Sequence, residues 1–478
     1  MKKSALALGV VVALGTTWTG GAWYTGKVAE TEFTRQVDIA NKDLNKSAYS
    51  LGLDIRFDNV SFERGLFSSK TKYKILVAEL DNPGKTWTLP FEGTLYHGPL
   101  PLNQLSHFNF MPSMFSSVDF ITKNETTTPW FDATKGKTPV MLTTSVGYNQ
   151  SGSSKVELVP FEASMKDGTL AANGFDVKFG FVREGINKLD LDLAKLVYSK
   201  SDSKDSIELN DVKIDVDYRR IPEWEYIPMG KKFLSGGVIK INGTDAEGKT
   251  NNVEFQNWKI DFDTVRKDQF LDFGAKIAFN GMTIRGISFG DLTIDSAFNH
   301  VDGETFNQLV QVYTEAAKKP QQEEFAEAKL QAAKKFFDTQ PQFIFSPALT
   351  NQAGKLVSNL DISIASSDFE NSISKGKIFN LFNHFIFKVD ANKDALIEEV
   401  ANALQLKSPD KEQAMKMAAT QVNEGVKNGV LQGVLVEDGK QVKLDLVLEK
   451  GQLKLNGQVI PEEQVASILF LAAMSMGH

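Results

Sequence analysis

The sequence predicts an α+β protein: an N-terminal transmembrane helix, then a long, mostly antiparallel, curled β-sheet with interspersed helices. Three observations carry that expectation. An uncharged run from Ser4 to Gly26 follows Lys2 and Lys3 and closes at Lys27. Between Ser50 and Asp302, apolar residues mostly alternate with polar ones. Elsewhere they recur every three or four residues, the period of an amphipathic helix.

The uncharged run is long enough to cross a bilayer core as a helix. Lysines placed before it predict an N-terminus left in the cytoplasm. Residues 5–24 are the expected span, retained as an uncleaved signal-anchor. Trp18, Trp23 and Tyr24 sit where aromatic side chains meet the far interface. Gly20-Gly21-Ala22 also suits a signal-peptide cleavage site, so a cleaved signal is the alternative. No later stretch approaches the length of a second span, and no cysteine follows the run to accept a lipid.

Composition narrows the chemistry. The chain has no cysteine, which excludes disulfides, thiolate metal sites and cysteine nucleophiles together. With 53 basic and 60 acidic residues the formal net charge is −7. That balance, without a long basic run, argues against nucleic acid as a partner. Lys27 is a solitary juxtamembrane cation, too little for a polybasic lipid switch.

The pattern divides the chain into an anchor (1–26), an amphipathic stalk helix (27–50), an antiparallel β-rich region with repeated strand units (51–303), a helical insertion (304–340), and a C-terminal α+β region with closing hairpins and a terminal helix (341–478). In the stalk, Val28, Phe33, Val37, Ala40 and Leu44 form an apolar stripe. Docking on its own domain satisfies that stripe; pairing through Phe33, Val37 and Leu44 into a homodimer is the alternative. Strand alternation is clear in Tyr73, Ile75, Val77 and in Val212, Ile214, Val216. Asn82-Pro83-Gly84, Lys166-Asp167-Gly168, Asp245 to Gly248 and Asp302-Gly303 read as the turns. Pro320 separates two helical stripes, and helices follow near 393–404 and 409–427. Hairpins turn at Asp438-Gly439 and Lys450-Gly451, and Pro461 opens an apolar helix over Glu462–Met476.

Several strands look like copies of one unit. Ile207 to Asp215 (IELNDVKID) is matched by Val253 to Asp261 (VEFQNWKID), more loosely by Ile287 to Asp295 (ISFGDLTID), and echoed by Ile55 to Phe62. Each has two alternating apolar residues, an Asp or Asn at the break, then two more. The break shifts the alternation by one residue, so a bulge or short turn is expected there.

Five further stretches carry a resemblance. Thr19 to Lys27 (TGGAWYTGK), Arg64 to Ser69 (RGLFSS), Tyr96 to Leu100 (YHGPL), Phe110 to Met114 (FMPSM) and Gly451 to Gly457 (GQLKLNG) resemble the YdgA-like proteins of Gram-negative bacteria, a family of unknown function. The resemblance implies a single-pass bacterial inner-membrane protein with its body in the periplasm. It supplies no catalytic residues. The long sheet is also distantly similar to AsmA-like envelope proteins, thought to handle lipids, by fold-level analogy.

No catalytic, cofactor-binding or metal-binding residues are assigned from the sequence, and no cofactor is expected. The five histidines lack the close spacing of a helical metal motif. Gly230 to Gly237 is glycine-rich but leads into a strand, whereas a phosphate cradle precedes a helix. The expected function is therefore non-enzymatic binding of a lipid or an envelope protein partner. One alternative is a hydrolase-like site near His97, served by Asp119 or Asp132. Another is a structural or self-associating scaffold. Phenylalanine supplies 34 of the 478 residues, and its alternation suits either a filled core or a groove open to an acyl chain.

Overall fold

The computed structural model describes residues 24–461, apart from 36, 42–51, 81–83, 85, 107, 109, 111, 166, 184, 220, 228, 245–249, 319–323, 366–377 and 409. The expected membrane span and terminal helix, and the stalk beyond 41, lie outside these residues, Tyr24 excepted. Among the described residues no helix is long and apolar enough to cross a membrane. The chain divides into two compact units. One holds residues 1–201, 212–220 and 313–322; the other holds 202–211, 221–312 and 323–478.

The first unit is an antiparallel meander. Strands β1 (Leu53–Arg64), β2 (Ser68–Glu79), β3 (Thr86–His97), β4 (Phe115–Ile121), β5 (Val140–Val146) and β6 (Gly152–Leu158) pair in chain order. β6 then continues as β7 (Phe161–Met165), opposite β8 (Gly168–Ala172) and β9 (Phe175–Val182). The hairpin is broken at matching places, Val159-Pro160 and Asn173-Gly174. Gly174 has φ +82°, and a Cβ there would press on Pro160 and the Leu158 carbonyl. β10 (Gly185–Lys200) runs along both halves of the broken strand.

One sheet face is covered by helix α1, which runs over residues 24–35 and 37–41. The stripe it presents differs from the expected one. Thr25, Gly26, Ala29 and Glu32 are its buried positions, with Val28 and Phe33 packed at the flanks. The sheet beneath is partly polar, carrying Ser69, Thr71, His97, Ser117 and Asp119, so small residues let the helix approach closely.

The second unit is also an antiparallel meander. Its strands are β12 (Gly230–Thr244), β13 (Thr250–Lys267), β14 (Phe270–Ile284), β15 (Ile287–Asp302), β16 (Gln342–Thr350), β17 (Lys355–Ile364) and β18 (Phe382–Asn392). β20 (Gln441–Glu449) pairs with β18, and β19 (Val436–Asp438) and β21 (Gln452–Leu455) pair with β20. β22 (Gln458–Val459) closes the meander on β21, and β11 (Ser206–Asp217) is divided between the units. In neither unit does the last described strand return to the first, so the sheets are open.

Four longer helices break the strand sequence: α4 (Gly303–Lys318), α5 (Glu324–Phe337), α6 (Lys393–Gln405) and α7 (Lys411–Leu431). Two short ones, α2 (Leu102–Ser106) and α3 (Thr128–Ala133), precede them in the first unit and carry too few residues for a readable helical period. Asp302-Gly303 is not a hairpin turn. Asp302 accepts the Thr305 backbone N–H at 2.9 Å and so caps α4.

The repeated breaks are structural. Asp211 and Asn257 adopt left-handed φ values of 54° and 46°, and Gly290 one of 77°. Register shifts accompany them on β1 at Asp58/Ser61 and on β13 at Gln256/Lys259. Asn, Asp and Gly tolerate this conformation where β-branched residues do not. The kink restores one face to the apolar residues on both sides of it.

Candidate functional site

His97 is 2% exposed, beneath α1. Its Nε2 lies 3.2 Å from Ser69 Oγ, and a Cβ at Gly26 would press on the imidazole at 2.7 Å. Asp119 is equally buried, four residue pairs further along the ladder, opposite Gly93. Its carboxylate lies across Gly93 and accepts hydrogen bonds from Thr71 Oγ1 at 2.9 Å and Ser117 Oγ at 2.8 Å. Burial pushes its pKa up, and these two hydroxyls oppose the rise. Asp132 sits on α3, exposed, 3.7 Å from Lys123 Nζ. The residues of the hydrolase alternative are therefore not brought together. His97 and Asp119 belong to a sealed polar layer of the core, where a substrate has no access. Among the described residues no cluster of His, Asp and Glu could hold a metal ion. The glycine-rich stretch from Gly230 lies within β12.

A different site emerges in the second unit, between its sheet and the α6–α7 pair. The floor is one cross-strand row in which Leu292 pairs with Leu349, Leu349 with Leu356, Leu356 with Ala391, and Ala391 with Val442. The roof is Leu396 of α6 with Val422, Gly425 and Val426 of α7. Between them lies a slot of about 490 Å³, lined almost wholly by apolar atoms, with Ser358 as the polar residue in its lining. Gly425 is the informative position. It sits mid-helix, where glycine costs about 1 kcal/mol relative to alanine. Gly425 is exposed and a Cβ there would meet nothing within 4 Å, so the position lies at the open rim of the slot.

The floor continues along the strands. The next rows on the same face carry Val389 and Leu444, then Phe345, Leu360, Phe387 and Leu446, then Phe343, Ile362, Phe385 and Leu448. At two residues per row, these rows extend about 20 Å. Phe343 and Phe345 stack with ring centroids 6.4 Å apart, and both are more than a third exposed. The aromatic alternation thus writes both outcomes at once. Phe57, Phe91 and Phe115 fill the core under α1, while Phe343 and Phe345 stay open to solvent.

The first unit has a separate trough of about 1250 Å³ on the sheet face opposite α1, with a mixed lining that includes Ser116, Val118, Met141, Thr143, Ser145 and Tyr148.

Neither cavity was legible beforehand. The row from Leu292 to Val442 joins five strands separated by helices and loops, and no local pattern registers them. Gly425 was the available signal, as a glycine inside a helical period without a turn to explain it.

The family model described as "Bacterial protein of unknown function (DUF945)" matches residues 1–463. The chain is 25% identical to Protein YdgA of Escherichia coli K12 over 507 residues, covering 100% of this chain and 98% of that protein. It is 25% identical to the uncharacterized protein YihF of the same organism, over 98% of each chain. An uncharacterized protein of Haemophilus influenzae is 28% identical over 319 residues, which is 65% of this chain and 86% of that one. No solved structure matches, and the AsmA-like likeness has no counterpart among these relatives.

Proposed function

The chain belongs to the DUF945 family of bacterial proteins of unknown function, and from that premise we propose that it is a membrane-anchored envelope protein that holds a lipid acyl chain in the slot beneath α7. Residues 5–24 anchor it in the inner membrane, and the two sheet units lie in the periplasm. The observation that carries the ligand reading is the apolar slot between the five-strand row of Leu292, Leu349, Leu356, Ala391 and Val442 and the α7 face of Val422 and Val426, with exposed Gly425 at its rim. The slot has the size and lining of a small-molecule site. Its open continuation toward Phe345 and Phe343 gives a longer chain somewhere to lie. Nothing in this site performs chemistry on the ligand, so binding is the function proposed.

Photo-crosslinking tests the reading. The full-length protein in bacterial membranes is loaded with a fatty acid carrying a diazirine near its methyl end, irradiated and mapped by peptide mass spectrometry. Adducts are expected on peptides containing Leu356, Ala391 and Val422–Val426. Gly425→Leu, which places a bulky side chain at the slot's rim and obstructs entry, should remove them while adducts on residues 5–24 persist. Slot adducts that survive Gly425→Leu, or adducts confined to residues 5–24, refute the proposal.

A further inference from the structure

We propose that one end of the first unit's sheet docks onto the lipid bilayer itself, inserting the side chains of Phe108, Phe110, Leu66 and Leu102 into the membrane interface beside the anchor. The proposal rests on the anchor reading and is independent of the acyl-chain slot.

The meander has two ends, and strand direction assigns every loop to one of them. The β1–β2 turn, the long β3–β4 connection and the β5–β6 turn share one end. The β2–β3 connection, α3 and the β7–β8 turn share the other. Contacts confirm the first grouping. The His97 backbone N–H donates to the Phe67 carbonyl at 3.1 Å, Met114 donates to the Val146 carbonyl at 2.8 Å, and Tyr148 Oη donates to the Gly98 carbonyl at 3.4 Å. Helix α1 starts at this same end, since Gly26 lies against His97 and Glu30 is 3.7 Å from Arg64. The uncharged run that precedes α1 therefore joins the fold where these loops cluster.

The loops there present apolar side chains outward. Phe108 is 84% exposed and Phe110 65%, while Leu66, Leu102 and Tyr148 are each roughly half-exposed. The support beneath them is firm. Asn103 donates to Ser116 Oγ at 2.9 Å, Gln104 donates to Ser145 Oγ at 2.8 Å, and Ser113 donates to Gln104 Oε1 at 3.0 Å, which ties α2 to β4 and β5. Phe108 has a left-handed φ of 56°, uncommon for a bulky residue and costly unless the surroundings hold it. A solvent-facing aromatic in this uncommon backbone conformation suits a surface that is covered in use. Tyr24, also exposed, and Lys27 at the start of α1 match the aromatic and cationic residues that settle at headgroup depth. A bilayer is the occupant that lies next to this end by chain connectivity alone.

The absence of natural cysteine makes the test direct. Full-length single-cysteine variants Phe108→Cys, Phe110→Cys, Leu66→Cys, Ala13→Cys and Glu125→Cys are labelled with an environment-sensitive fluorophore and placed in phosphatidylethanolamine–phosphatidylglycerol nanodiscs. Labels at 108, 110 and 66 should shift to the blue and lose emission when nitroxide-bearing lipid is included. The label at 125, at the opposite end, should do neither. The label at 13 reports the anchor. Quenching at 13 without quenching at 108, 110 and 66 overturns the docking and leaves the anchor standing. No quenching at 13 overturns the anchor itself. A label at Leu66→Cys should also lose its quenching when Phe108→Asp and Phe110→Asp are added; retained quenching there refutes the role of the two phenylalanines.

Discussion

Asp119 is the residue whose environment decides most. Its carboxylate reaches Thr71 only because the residue between them is Gly93, where a Cβ would overlap the carboxylate. Gly93→Ala should cost about 1–3 kcal/mol through overpacking. The same change in an Asp119→Ala background should cost less, a coupling that denaturant melts of the four proteins would measure. Burial also sets a pH dependence. The folded pKa of Asp119 is raised, so the native state keeps its proton to higher pH than the unfolded chain. Its contribution to stability is therefore neutral below about pH 4, the unfolded value, and becomes a penalty as pH rises through the folded pKa. Asp119→Asn removes that titration. Its stability relative to the parent should climb with pH across that window in a series of urea melts, and a flat difference would refute the assignment. That His97 would lie against Ser69 and a helix glycine was not readable, because these come from β2 and from α1.

Among the elements, the bulged strands were the most legible. A one-residue shift in alternation must be absorbed by the backbone, and Asp211, Asn257 and Gly290 absorb it with positive φ. Asn257→Gly should be tolerated, whereas Asn257→Val should destabilise by about 1–2 kcal/mol because a branched Cβ is strained there. Thermal melts compare the two directly. Trp258, next in sequence, lies across Gly236 on β12, a reason that glycine occupies a strand interior. Helix α7 supplies the contrasting case. Gly425→Ala should stabilise by about 1 kcal/mol, since the Cβ enters open space and helix propensity improves. Stabilisation by alanine, together with loss of the ligand by leucine, would separate the helix role of this position from the slot role.

At the scale of the whole molecule, anchoring and topology carry the prediction. A reporter active only outside the cytoplasm, fused after residue 60, should be active, and a cytoplasmic reporter at that point should be silent. The reverse result would refute the periplasmic assignment. Sequencing the N-terminus of the membrane-extracted protein separates anchor from signal, with Met1 or Lys2 expected and Trp23 indicating cleavage after Ala22. Phe33, one of the three residues considered for pairing two copies, lies against Phe62 and Tyr73 of its own unit, with ring centroids 5.9 and 6.4 Å away.

The sequence by itself determined the β-rich α+β class, the position of the repeated strand units and of the long helices, the bulge sites and the family. Those properties are written in local periodicity, in Gly, Asn and Asp at strained backbone positions, and in ordered short motifs. Tertiary structure alone decided which face α1 buries and that His97 and Asp119 are sealed apart. It also decided that Leu292, Leu349, Leu356, Ala391 and Val442 form one row facing Val422 and Val426 of α7. The physical reason is that alternation states which side chains share a face of a strand. It does not state what covers that face, and covering depends on cross-strand register and on helices arriving from elsewhere in the chain.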